Sequence, residues 1–115
     1  MEKVINEIIR KNSNLFGNKP KIEKINVGFT NTIYNINDKY IVKICSSENN
    51  EDNFKKEIYF YKENKDNNLI PRLYFSSVDK KDIPYFYEII EKIDGVSLYN
   101  VWHTFNEVER DILTF

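Results

Sequence analysis

A lysine, Lys43, interrupts the apolar run Tyr40-Ile41-Val42-Lys43-Ile44. An ammonium inside an apolar strand is costly unless an anion meets it. Two features of the sequence could supply that anion. Upstream lies the loop Val27-Gly28-Phe29-Thr30-Asn31. Backbone N–H groups of a tight hairpin can cradle phosphate oxygens, and Gly28 lets the backbone come close. Thr30, Asn31 and Thr32 add side-chain donors. Downstream, Glu57 supplies a carboxylate on the next expected helix. The chemistry these residues suit is the holding of a phosphorylated ligand. Lys43 would act as a point charge on α- and β-phosphate oxygens, oriented by Glu57. A loop with one glycine does not make a G-x-G-x-x-G pattern, so it carries weight only together with Lys43 and Glu57.

The elements that must position these groups follow from hydrophobic spacing. Val4, Ile5, Ile8 and Ile9 recur at helical intervals, so residues 2–12 are expected as an amphipathic helix, followed by a connection from Asn12 to Pro20. Residues 21–27 are expected as a first strand, Gly28 to Asn31 as a turn and Thr32 to Ile36 as a second strand. Asn37-Asp38-Lys39 forms a tight turn, because Asn and Asp tolerate left-handed backbone angles. Residues 40–45 make a third strand, with Tyr40, Val42 and Ile44 on one face and Ile41, Lys43 and Cys45 on the other. Lys43 is therefore expected to point into a cleft. Residues 50–66 follow as a helix whose Phe54, Ile58 and Tyr61 form one buried stripe, and Glu57 falls on that stripe. A fourth strand at Arg72 to Ser76, a polar loop from Ser77 to Asp82 and a fifth strand at Tyr85 to Ile90 complete the sheet. Beyond the Asp94-Gly95 break, Ser97 is a candidate N-cap for Leu98, Val101, Trp102 and Phe105 at helical spacing. Val108, Ile112 and Phe115 then open a further apolar stripe. The expected fold class is α+β: a five-stranded antiparallel sheet, an N-terminal helix, one helix between strands 3 and 4, and C-terminal helical segments.

Composition narrows the function classes. At 115 residues the chain has room for one compact domain, and 41% hydrophobic residues suffice for a core. Seventeen basic and 18 acidic residues give a net charge of −1 with no basic block, which argues against nucleic acid as the main partner. A single cysteine, Cys45, excludes an internal disulfide framework and suits a reducing cytoplasm. No apolar run approaches the ~20 residues of a membrane span. The expectation is a soluble cytoplasmic protein with no metal site of its own.

Taken in order, Gly28-Phe29-Thr30-Asn31-Thr32-Ile33-Tyr34, Ile41-Val42-Lys43-Ile44, Lys56-Glu57, Ile70-Pro71-Arg72-Leu73 and Ile93-Asp94-Gly95-Val96-Ser97-Leu98 resemble the aminoglycoside phosphotransferase family. The resemblance runs from about residue 20 to residue 115. It implies a protein-kinase-like N-terminal lobe over residues 1–95, with residues 96–115 as the linker and start of a truncated C-terminal lobe. It also implies ATP as cofactor and γ-phosphate transfer to the hydroxyl of a small molecule, with antibiotics as one acceptor class. Carried over by position, Lys43 would contact the α- and β-phosphates, Glu57 would pair with it, and Thr30 and Asn31 would lie over the phosphates. Ile90 would guard the back of the adenine pocket, and Ile25, Ile41 and Val27 or Ile33 would wall it. The Glu91 carbonyl and the Ile93 amide would hydrogen-bond adenine at the hinge.

The family's catalytic aspartate lies in a His-x-Asp type loop, with a Mg²⁺-binding aspartate further on. The one histidine here, His103, precedes Thr104-Phe105, without the aspartate, and Asp94 and Asp111 do not match the motif. This chain alone is therefore expected not to catalyse, with Mg²⁺ and the hydroxylated acceptor bound only in a full-length parent. A second reading, from a different class, is a stand-alone interaction module that docks or homodimerises through the stripe Val108, Ile112 and Phe115. A third is an α+β domain of the same layout without a ligand.

Overall fold

The computed structural model describes residues 1–25 and 31–93. Helix α1 (Glu2–Lys11) and a one-turn helix α2 (Ser13–Phe16) precede β1 (Ile22–Ile25), β2 (Asn31–Ile36) and β3 (Tyr40–Cys45). A 3-10 turn at Glu48–Asn50 leads into α3 (Glu51–Glu63), and β4 (Leu73–Ser77) and β5 (Tyr87–Glu91) follow. The five strands form one antiparallel sheet in the order β1-β2-β3-β5-β4. The expected fold class is thus the one observed for the described residues. Gly28, Thr30 and the C-terminal stripe lie outside them.

Strand alternation explains how the sheet is covered. Tyr40, Val42 and Ile44 of β3 join Tyr34, Ile36, Tyr87 and Ile89 in a core closed by Ile5 and Ile8 of α1 and Phe16 of α2. These helices sit there because Ile5 and Ile8 share one stripe of α1, and burying such a stripe is what stabilises a ten-residue helix. Asn12 ends α1 by donating from its side chain to the Ile8 carbonyl at 2.8 Å. The opposite face carries Ile33, Ile41 and Ile90 against Tyr61 of α3, with Cys45 and Phe86 against Phe54 and Ile58. The sheet is therefore the middle of three layers.

Several boundaries differ from the sequence expectation. The connection after α1 contains α2, which has too few residues to show a period. Helix α3 ends at Glu63, where Asn64 caps it by donating to the Phe60 carbonyl at 2.9 Å. Strands β4 and β5 start one and two residues later than expected, at Leu73 and Tyr87. The β2–β3 turn matches: Asn37 and Asp38 take φ of 59° and 55°. Among the described residues no helix is long and apolar enough to cross a membrane.

Candidate functional site

The site is built where β3 meets α3. Glu57 follows Phe54 by one helical turn and precedes Tyr61 by another, so burying those two rings carries the carboxylate onto the sheet. There the Lys43 ammonium donates to Glu57 Oε1, and both side chains are buried, at 0% and 2% exposure. Removing one partner of a buried pair typically costs about 3–5 kcal/mol. The sequence placed Lys43 in a cleft; the structure encloses it, because α3 lies directly over its strand.

Register supplies the surroundings of this pair. Ile25 stands opposite Ile33, Ile33 opposite Lys43, Lys43 opposite Glu88, and Glu88 opposite Ser76. These five residues make one row across all five strands, on the face that α3 covers. In the adjacent row Asn35 pairs with Ile41 and Ile41 with Ile90. Ile33, Ile41 and Ile90 form a single apolar cluster with Tyr61 and Ile70, and Ile25 packs against its edge. The expected wall residues Ile25, Ile33 and Ile41, and Ile90, expected at the back of the pocket, thus share a face with Lys43.

The remaining expected site residues are placed as follows. Asn31 is the first residue of β2 rather than part of the preceding turn, and it is buried. Its Oδ1 accepts from Asn50 Nδ2 at 3.2 Å, which ties the start of β2 to the entry of α3. Glu91 closes β5: its amide donates to the Arg72 carbonyl at 2.8 Å, and its Oε1 accepts from the Arg72 amide at 3.3 Å. Ile93 is half-buried just beyond the strand.

Glu88 has no assigned role in the sequence reading, yet it is fully buried. No donor among the described residues reaches its carboxylate oxygens, and the Glu57 carboxyl lies within hydrogen-bond reach of them. Burial pushes its carboxyl well above the usual carboxylate range; the Glu57 charge adds to the rise and the Lys43 charge opposes it. Tyr61 faces the same group, its phenol raised by burial and by the charges of Glu57 and Glu88. A signal for Glu88 was available in the sequence. It interrupts the apolar run Phe86-Tyr87-Glu88-Ile89-Ile90 as Lys43 interrupts its own.

No protein-family model matches the chain, and no curated protein matches it in sequence. Solved structures do match in fold. One is the ternary complex of APH(2")-IIa with streptomycin and ATP, at a TM-score of 0.59 and 16% identity over 93% of this chain. Another is the ADP-bound aminoglycoside phosphotransferase APH(2'')-Ib, at a TM-score of 0.57 and 18% identity over 93% of this chain. In both cases the chain spans only 33% of the matched structure. Among the described residues, a five-stranded sheet with an N-terminal helix and with α3 between β3 and β4 gives the chain the fold of about a third of these aminoglycoside phosphotransferase structures.

Proposed function

We propose that this chain is the nucleotide-binding N-terminal lobe of an aminoglycoside-phosphotransferase-like small-molecule kinase. One observation carries the reading: the buried Lys43–Glu57 pair lies on the same sheet face as Ile25, Ile33, Ile41 and Ile90. A cation held beside an apolar wall suits a ligand with a polyphosphate at one end and a planar base at the other. In this reading Lys43 binds α- and β-phosphate oxygens and Glu57 holds Lys43 in place. Gly28, Thr30 and Asn31 lie over the phosphates. Ile25, Ile41 and Ile90 enclose adenine, and the Glu91 carbonyl and Ile93 amide pair with its edge.

Residues 1–95 then form the lobe, and residues 96–115 begin the next one. Phosphoryl transfer needs metal-bridged phosphates and a positioned nucleophile. In this reading the groups that hold Mg²⁺ and the acceptor hydroxyl belong to the C-terminal lobe of a full-length protein. That protein passes the ATP γ-phosphate to a small hydroxylated molecule, whereas the chain alone binds nucleotide without turning it over.

Isoleucine methyl NMR tests the reading. Adding ADP is expected to shift the Ile41 and Ile90 methyls while leaving Ile5 and Ile8, on the far face, in place. Shifts confined to the far face, or none at saturating ADP, would refute it.

A further inference from the structure

We propose that Glu88 is a further positioning residue of this site: it faces Lys43 across β3–β5, and nucleotide phosphates engage Lys43 only while Glu88 is a neutral acid. The proposal rests on the nucleotide reading above. Its own basis is the placement of two carboxyl groups around one ammonium. Glu57 reaches Lys43 from α3 and forms the ion pair. Glu88 reaches the same space from β5, fully buried, with no donor on either oxygen among the described residues and the Glu57 carboxyl within hydrogen-bond reach.

Charge balance gives the consequence. With Glu88 protonated, Lys43 and Glu57 cancel, and the ammonium can accept a phosphate as an additional anion. With Glu88 ionised, two carboxylates already surround one buried ammonium, and a phosphate would be a third negative charge at short range and low dielectric. The carboxylate form therefore competes with the ligand. Lys43 and Cys45 from β3, and Glu57 and Tyr61 from α3, are the titratable groups bearing on Glu88 among the described residues. Ser76, opposite it on β4, carries no charge. Because a bound phosphate favours the protonated form of Glu88, binding takes up a proton wherever the free site has lost one. Affinity is then constant at low pH. Above the pKa of the free site it falls, by up to about tenfold per pH unit.

The experiment is calorimetric titration of ADP into the whole chain, wild type and Glu88→Gln, at steps from about pH 5 to about pH 9. ADP ionises too, and comparing the two proteins cancels that contribution. The wild type is expected to lose affinity more steeply than Glu88→Gln, whose uncharged amide cannot compete, so the variant binds about tenfold or more tighter at the alkaline end. Equal slopes, with binding intact, would remove the role of Glu88 and leave the nucleotide reading standing. Absence of ADP binding to either protein at every pH would overturn both. If Glu88→Gln does not fold, carboxyl ¹³C NMR of the wild type decides. One glutamate should titrate above the ordinary range and move further up with ADP; a Glu88 signal indifferent to ADP overturns the proposal.

Discussion

Glu88 stands directly across the β3–β5 ladder from Lys43, while Glu57 meets the same lysine from α3. One buried ammonium thus has carboxyl groups on two sides, one in the ion pair and one whose pKa burial pushes well above the usual carboxylate range. Removing different members of this group should have unequal consequences.

Lys43→Met leaves two carboxyl groups facing each other without a cation, and burial then favours protonating at least one of them. Glu57→Gln leaves Lys43 with Glu88, which can ionise and take over the pairing. Lys43→Met is expected to lower stability by about 3–5 kcal/mol, and Glu57→Gln by clearly less. Urea denaturation measures both, and the reverse order would contradict this arrangement.

A glutamate with a raised folded-state pKa makes stability fall as pH rises. Below the unfolded-state value, about 4.3, both states are protonated and Glu88 has no effect. Above it the unfolded chain ionises while the folded protein does not, so stability drops by about 1.4 kcal/mol per pH unit up to the folded-state pKa. Glu88→Gln should remove this slope and be more stable than the wild type at neutral pH. Thermal melts across that range would show it, and identical pH profiles would not fit.

The far face of the sheet depends on α1. Ile8 is fully buried in the cluster with Val42 and Ile89. Ile8→Ala is expected to cost about 2–5 kcal/mol through lost burial and the cavity left behind. A denaturation midpoint unchanged from wild type would mean that α1 does not belong to the core.

Asn37 holds the β2–β3 turn at φ 59°, accepting from the Lys21 amide at 2.8 Å and donating to the Phe16 carbonyl at 3.1 Å. Asn37→Ala loses both bonds and strains the backbone, for about 1–3 kcal/mol. Asn37→Gly should recover part of that loss, since glycine accepts positive φ freely. Denaturation of the two variants side by side checks the order.

How much could be read from the sequence follows from how local each signal was. The Lys43–Glu57 pair was legible because strand alternation and helical spacing each placed one charge on an apolar face. Ile25, Ile41 and Ile90 came from a resemblance by position, and register then brought them onto the face of Lys43. Glu88 carried the same local signal, a charge inside an apolar run, but its partner did not. That it faces Lys43 depends on the insertion of β5 between β3 and β4, a long-range choice that no local period records. Short α2, stabilised by Phe16 in the core rather than by its own length, was hidden in the same way.

The most direct measurement is calorimetric titration of ATP into the whole chain and into Lys43→Met, with circular dichroism confirming that the variant is folded at the working temperature. The wild type should bind, and the variant should bind at least about tenfold more weakly, since a phosphate loses its charge-assisted hydrogen bond. A folded Lys43→Met chain that binds ATP as tightly as the wild type would contradict the phosphate role of Lys43.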